Sequence, residues 1–436
     1  MRKRVVIVGA GPSGVLLAHY LLHHGDQYQI ALYDRRSDPR QTAFSTARTF
    51  PISLNDRGMN ALKPIPGVEA GIDAVSVKMV GTVFHQTNGQ RRETKRQKPL
   101  ITLDRTQLVI VLLEQLAQFQ PDPRLTIRFN CQCTELDLAT KTAKFQAVDS
   151  DSPETFTVEY DLLIGADGAN SVVREQLLAS NQIEVEQSYV PNAYKSIVLP
   201  PPDPKLGIEL EPNKIQTWRT SDGTLVMLLH QRDNALSGVI LFPYQRNPMS
   251  DRTTPEALLQ FFQERFAEVG QMMSIQDAAA LLEHPVARVL TIRCNRYHYG
   301  DSVLIIGDAA HAVSPALGQG CNSALEDVVI LNNLLQEYGD DLGQAIAQFT
   351  ERRLTDAHAL TEISNNAFPT TSRLFIEFVL REQLAKFLHQ LFPKTFSPPL
   401  TELVFDSTVP YSQILSSYRG WIAKVKRANE QFFNHS

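Results

Sequence analysis

The chain has 436 residues, 43% of them hydrophobic and 20% charged, with a net charge of −5 when histidines are neutral. This is enough for two or three domains with a sizeable core, and the acidic balance excludes nucleic acid as a charge-driven partner. No run approaches the roughly 20 apolar residues of a transmembrane segment, and the four scattered cysteines, Cys131, Cys133, Cys294 and Cys321, form neither a disulfide framework nor a zinc-spaced group, as expected of reduced thiols in a cytoplasmic protein.

Val5 to Val8 is a β-branched run suited to a strand buried on both faces. Gly9, Gly11 and Gly14 follow in G-x-G-x-x-G spacing, with Pro12 and Ser13 among them, and Val15 to Leu22 reads as a helix. Gly9 allows a tight turn, Gly11 lets the backbone approach a pyrophosphate, and Gly14 lets helix and strand pack closely. The helix start offers free N–H groups and a positive dipole end to phosphates. A second strand, Gln29 to Tyr33, ends at Asp34, twenty residues past Gly14, where a carboxylate is placed to bind a ribose hydroxyl.

Further along, Pro51 excludes a helix interior over residues 47–58. Ala74 to Val80 reads as a strand, and Asn88-Gly89 is a strong hairpin signal. Arg91, Arg92, Lys95, Arg96 and Lys98 then lie at the hairpin tip. They are a solvated surface or an electropositive rim for an anionic substrate or nicotinamide phosphates. Thr106 to Ala117 has helical spacing, and strands are expected at Leu125 to Phe129 and Ala143 to Val148. A buried strand after Tyr160 ends in Asp167-Gly168, and another from Ser302 ends in Gly307-Asp308. Between them, Leu225 to Leu229 and Ser237 to Phe242 read as strands and Pro255 to Phe266 as a helix. A long helix over Asn322 to Tyr338 precedes a helical region from Glu351, with a Pro-rich break at Phe396 to Leu400. The expected fold class is α/β. A Rossmann-type dinucleotide-binding domain in three parts (1–73, 103–178 and 291–350) carries an inserted sheet-based substrate domain (74–102 and 179–290) and a C-terminal helical region (351–436).

Three segments form a set: Gly9-x-Gly11-x-x-Gly14; Asp161 to Arg174, with Asp167-Gly168 at its turn; and Gly307 to Asn322, with Asp308, His311, Pro315, Gly318 and Gly320. In order and spacing the chain resembles the single-component FAD-dependent aromatic hydroxylases, the class of p-hydroxybenzoate hydroxylase, over nearly its whole length. Four further segments resemble the kynurenine 3-monooxygenases more narrowly: Arg48 to Gly58, Asp104 to Leu108, Gln187 to Tyr194, and Phe387 to Pro398. The sequence stops soon afterwards, and no counterpart of the membrane-anchoring tail of animal members is expected.

The resemblance implies an FAD site with Gly9, Gly11, Pro12, Ser13 and Gly14 at the phosphates and Asp34, Arg35 and Arg36 around the adenosine ribose. Arg105 would lie along the pyrophosphate and ribityl chain, with Arg48 also in contact. Asp167 and Gly168 would sit beside the nicotinamide path, and Asp308 on a ribityl hydroxyl. Pro315, Gly318, Gly320, Cys321 and Asn322 would surround the flavin pyrimidine, where helix N–H groups stabilise the charge of the reduced ring. It further implies reduction by NADPH or NADH, reaction with O2 through a C4a-hydroperoxyflavin, and oxygen transfer to an aromatic or electron-rich small molecule. One fingerprint means that the nicotinamide visits the FAD site instead of owning a domain. No catalytic base is required, and His311 reads as a structural member of its motif.

The substrate positions depart from the family. Kynurenine hydroxylases place a carboxylate-gripping Arg three residues before the His that matches His85, and that position here is Thr82. A substrate-contacting Tyr matches near Arg96, two aromatics become Ala316 and Leu317, and Tyr411 keeps the family's second Tyr. A substrate other than L-kynurenine is expected. Two other readings stay open at this point. One is a flavoprotein oxidase or dehydrogenase of the same fold; the other is a flavin-bearing ligand-binding protein without hydroxylation.

Overall fold

The structure, a computed structural model, describes residues 2–42, 51–86, 89–119, 122–148, 154–339, 341–369 and 371–434. Its first sheet has six strands in the order His298–Tyr299, Val303–Ile305, Leu162–Gly165, Lys3–Val8, Tyr28–Tyr33 and Leu125–Arg128. All pairs are parallel except the edge pair His298–Tyr299 with Val303–Ile305. Val5 to Val8 are buried, as strands covered by helices on both faces must be. The strand order reverses at Lys3–Val8: the next strand lies on one side and Leu162–Gly165 on the other. Such a switch point opens a crevice at the carboxyl ends of the strands. The register Val8↔Gly165 sets the turns after these two strands side by side.

The second sheet has eight strands. Its middle is formed by Tyr194-bearing Val185–Leu199, Leu236–Pro243, Leu225–His230, Lys214–Arg219, Val77–His85 and Arg91–Asp104. Pro51–Leu54 and Ala287–Cys294 close its two edges. Period-two alternation gives the sheet two different faces. On one, Trp218, Val226, Leu228, Ile240 and Phe242 pack against Leu258, Phe261 and Phe262 of the helix Pro255–Arg265. Phe242→Ala would open a cavity there, at a cost of about 3–5 kcal/mol. The other face carries Thr82, Phe84, Thr217, Met227 and Leu241 and fronts a large cavity. A three-stranded sheet (Cys131–Asp137, Thr142–Ala147, Thr155–Glu159) buries Cys131 and Cys133 on one face. Burial pushes the Cys133 thiol up to about 12, so it is inert.

Several expectations are corrected. Residues 74 and 75 end the helix Val68–Val75, and the strand begins only at Val77. Val68 and Ile72, one helical turn apart, are buried, and tertiary packing outweighs the β-branched run. The cations of 91–98 are not at a hairpin tip. They run along the strand Arg91–Asp104, and the turn lies before them; Asn88 falls outside the described residues. The helix Leu342–Asn366 is continuous through residue 350, so a boundary there cuts an element in two. The strands Arg91–Asp104 and Ala287–Cys294 likewise run through the boundaries expected after 102 and 290.

Candidate active site

The cavity between the two sheets has a volume of about 2760 Å³, well above the roughly 300–1,000 Å³ of a small-molecule pocket. It has room for a dinucleotide and a substrate together. Gly9 enters it with φ +108°, and a Cβ there would lie 2.4 Å from the Ala166 carbonyl oxygen. Only glycine fits a turn that brings the two strand-end loops this close. The helix Pro12–Leu22 begins with Gly11 as its cap and no side chain on its free N–H groups. Gly11, Pro12 and Ser13 line the cavity, so that helix start is open to an anion.

Asp34 closes the adjacent strand. Its carboxylate accepts from the Ala10 N–H at 2.8 Å and from the Arg36 backbone and guanidinium at 2.8 and 3.1 Å. Burial alone would raise this group, but Arg36 and the two backbone N–H groups hold it below the usual carboxylate range. Asp34 is therefore ionised and fixed at the rim. Arg35 and Arg36 line the same end.

Asp308 follows the third strand and starts a short helix, Asp308–His311. It lines the cavity, and burial pushes its carboxyl above the usual range against the opposing charges of Arg105 and His311. No described residue hydrogen-bonds to this carboxylate, which leaves it ready to accept from a ligand hydroxyl. Arg105 lines the cavity from the start of its own helix, Arg105–Leu116. Asp167 accepts from the Val172 N–H at 2.7 Å and thereby shapes the loop that carries Gly168. Arg174 donates to the carbonyls of Ala169 (2.7 Å) and Ala309 (3.1 Å), tying the second and third loops together.

The helix Gly320–Glu337 starts at the same cavity with no side-chain cap, and Pro315, Gly318, Gly320 and Cys321 line the space before it. Two uncapped helix starts, a fixed ribose-type carboxylate and an unpartnered carboxylate thus converge on one cavity. These residues fit FAD: the first helix start suits its pyrophosphate, Asp34 its adenosine ribose and Asp308 its ribityl chain.

Three of the expected cofactor residues do not line the cavity or lie outside the described chain. Gly14 serves packing: a Cβ there would lie 2.0 Å from the Gly9 oxygen. Asn322 is fully buried and donates to the carbonyls of Ser53 (2.8 Å) and Gly318 (3.0 Å) while accepting from the Asn55 N–H. It pins the 51–58 segment to the start of its helix. Arg48 lies outside the described residues.

Of the expected substrate residues, Thr82, Arg96, Ala316 and Leu317 line the cavity. Leu317 is nevertheless packed into the C-terminal core and only 3% exposed. Arg96 is engaged: it donates to Asp406 at 3.3 Å and lies 4.9 Å from the Phe405 ring centroid. Tyr411 does not reach the cavity. Its ring is fully buried beneath the Arg57 guanidinium, 4.2 Å away, and its hydroxyl donates to Gln319 Oε1 at 2.9 Å. Asn55 Nδ2 donates to the same oxygen at 3.0 Å. Tyr411 therefore positions the Gly318–Gly320 turn from behind.

Sequence reasoning missed Arg219. Ile215, Thr217 and Arg219 alternate onto the cavity face of their strand, while Gln216 and Trp218 turn to the packed face. Arg219 is exposed and has no acidic partner among the described residues. The helix Ser372–Leu391 was also missed as a cavity wall; Phe375, Val379 and Gln383 face the same space.

Residues 2–364 match the family model described as an FAD binding domain. The chain is 32% identical over 427 residues to the kynurenine 3-monooxygenase of Salinispora arenicola, covering 95% of this chain and 90% of that one. It is 27% identical over 439 residues to the violacein synthase of Chromobacterium violaceum, covering 98% and 100%. Among solved structures, the fold is similar to that of 2-methyl-3-hydroxypyridine-5-carboxylic acid oxygenase, with a TM-score of 0.66 and 19% identity over 88% of this chain and 93% of that one.

Proposed function

Since the chain belongs to the FAD-dependent monooxygenases related to kynurenine 3-monooxygenase, we propose that it uses NAD(P)H and O2 to hydroxylate an aromatic small molecule other than L-kynurenine. FAD, when bound, supplies the electron transfer and the oxygen activation. The chain's own residues hold and orient. The Gly9–Gly14 helix start would carry the pyrophosphate, Asp34 the adenosine ribose, and Asp308 a ribityl hydroxyl. The uncapped start of Gly320–Glu337 would stabilise negative charge on the flavin pyrimidine. The sheet face and the Ser372–Leu391 wall would exclude water from the reacting centre and align the ring.

The observation that carries the substrate reading is the pair Thr82 and Arg96. An amino-acid carboxylate in a partly dry site needs a charge-assisted partner, most often a bidentate Arg. Thr82 offers a neutral hydroxyl, and Arg96 is already paired with Asp406. Arg219 supplies a free cation on the same sheet face, beside an apolar floor of Phe84, Met227 and Leu241. This combination favours a bulkier, more apolar ring system with an anionic group directed at Arg219. Ala316 at the cavity adds room beside the flavin. Four unpaired thiols, of which Cys131, Cys133 and Cys294 are buried, fit a reducing compartment.

The test is substrate-stimulated NADPH oxidation with product analysis, across kynurenine, anthranilate-type acids, indoles and quinolones. Hydroxylated product from a bulky aromatic acid, with weak response to kynurenine, supports the reading. Efficient formation of 3-hydroxykynurenine with tight binding defeats the substrate part. Stoichiometric hydrogen peroxide from substrate oxidation without nicotinamide defeats the monooxygenase part.

A further inference from the structure

The helix Ser372–Leu391 is apolar on two opposite sides. One side packs inward: Phe378 is buried and stacks on Trp421, with ring centroids 6.2 Å apart. The other side is uncovered. Ile376, Leu380, Leu384, Phe387 and Leu391, spaced by four, four, three and four residues, are each more than half exposed. Phe392 and Phe396 extend the stripe past the helix end. That spacing places the five side chains on one helical face. A helix apolar on both sides is normally covered on both, and isolated exposed leucines are common while a continuous row is not.

The charges around the stripe indicate what covers it. Both acids of the helix are occupied: Glu377 pairs with Arg381 and Lys424, and Glu382 accepts from the N–H groups of Leu400 and Thr401. The cations Arg373 and Lys394, before and after the stripe, are exposed and have no acidic partner among the described residues, while Lys386 lines the cavity. The stripe is thus apolar with free positive charge at both ends, in a chain whose net charge is −5. A second copy docked antiparallel on Leu384 would set Arg373 of each copy against Lys394 of the other, a like-charge contact. An anionic lipid surface meets both features at once. Among the described residues no helix is long and apolar enough to cross a membrane, so the helix would lie on the surface.

We propose that the outer face of Ser372–Leu391 docks the protein reversibly on anionic phospholipid membranes. Ile376 and Leu380 belong both to this stripe and to the cavity wall. Docking would therefore set the cavity mouth against the lipid, where an apolar aromatic substrate concentrates.

The experiment is co-sedimentation of the FAD-loaded full chain with phosphatidylcholine vesicles and with roughly 7:3 phosphatidylcholine:phosphatidylglycerol vesicles. Binding to the anionic vesicles should exceed binding to the neutral ones by about tenfold or more and weaken in about 0.5 M salt. The double substitution Leu384→Glu/Phe387→Glu should abolish it, with FAD content and thermal midpoint unchanged. Arg373→Gln/Lys394→Gln, which leaves the apolar stripe intact, should cut it about tenfold. Protein that stays in the supernatant with both vesicle types overturns the proposal. So does equal binding by wild type and both variants, or a dimer in gel filtration that Leu384→Glu/Phe387→Glu converts to monomer.

Discussion

Arg353 Nε lies 2.7 Å from Asp327 Oδ1, and both side chains are sealed from solvent. The second oxygen of Asp327 accepts from the Gly307 N–H at 2.8 Å and lies 2.7 Å from His311 Nε2. The pair therefore connects a C-terminal helix, through a single carboxylate, to the turn that delivers Asp308. Arg353→Met leaves Asp327 a buried charge without its guanidinium partner. The expected cost is about 3–5 kcal/mol in urea unfolding, with a parallel loss of FAD from the purified protein. A variant of wild-type stability that retains full FAD would refute the connection.

Asp308 is expected to govern FAD affinity and its pH dependence. Asp308→Ala removes a hydrogen bond to a charged acceptor, worth about 1.5–3 kcal/mol, or roughly ten- to a hundredfold in FAD dissociation constant. Burial raises the pKa of this group. Acid then competes with FAD from above the ordinary carboxylate range, and affinity should fall as pH is lowered toward it. Asp308→Asn should flatten that part of the profile, as followed by flavin fluorescence titration at a series of pH values.

Glycines at two sites should respond in opposite directions. Gly14→Ala puts a Cβ 2.0 Å from a backbone oxygen, so helix and strand must separate, and largely FAD-free protein is expected. Gly420 lies inside the helix Tyr411–Asn434, and a Cβ there meets nothing within 4 Å. Gly420→Ala should stabilise the fold by about 0.5–1 kcal/mol. Both are read from thermal unfolding and the flavin absorbance of the purified variants.

On the packed side of the second sheet, Glu268 lies 2.7 Å from both His85 Nδ1 and Trp218 Nε1 and pairs with Arg91 at 2.8 Å. The contact with His85, then those with Trp218 and Arg91, hold its carboxyl down to about 2, against 4.5 for the free group. A depressed pKa contributes stability that is complete above the unfolded value and lost as pH falls through the folded one. Glu268→Gln should therefore cost about 1–3 kcal/mol at neutral pH. The difference from wild type should shrink as pH drops from 4.5 toward about 2. Urea unfolding across that range checks it; a pH-independent difference would contradict the assignment.

Tyr411→Phe separates positioning from substrate contact. The variant loses the 2.9 Å bond to Gln319, worth about 1 kcal/mol of stability. The KM of whichever aromatic substrate proves active should stay within about twofold, because the hydroxyl faces Gln319 and not the cavity. A large rise in KM with unchanged stability would restore Tyr411 to the substrate site.

Much of the cofactor half could be read along the chain because its requirements are local. A buried strand, a turn that only glycine can make and a helix start are contiguous in residues 5–22, and Asp34 and Asp308 each end a strand that their own neighbours specify. The α/β class and the place of Asp34 followed from those segments, whereas a role for Asp308 rested on the resemblance to the flavin hydroxylases. The substrate half was legible only to the level of which residues alternate along a strand. Whether the Thr82 side or the His85 side of that strand meets the cavity is decided by the helices that cover the other face, from residue 255 onward. Arg96 reads as a free cation until Asp406, 310 residues later, takes it. Tyr411 keeps a family residue type, yet Arg57 and Gln319, both distant in sequence, turn its ring and hydroxyl into the core. Strand periodicity and glycine sterics act between neighbours in sequence. Charge pairing and burial act between neighbours in space, and these come into being only when the chain has folded.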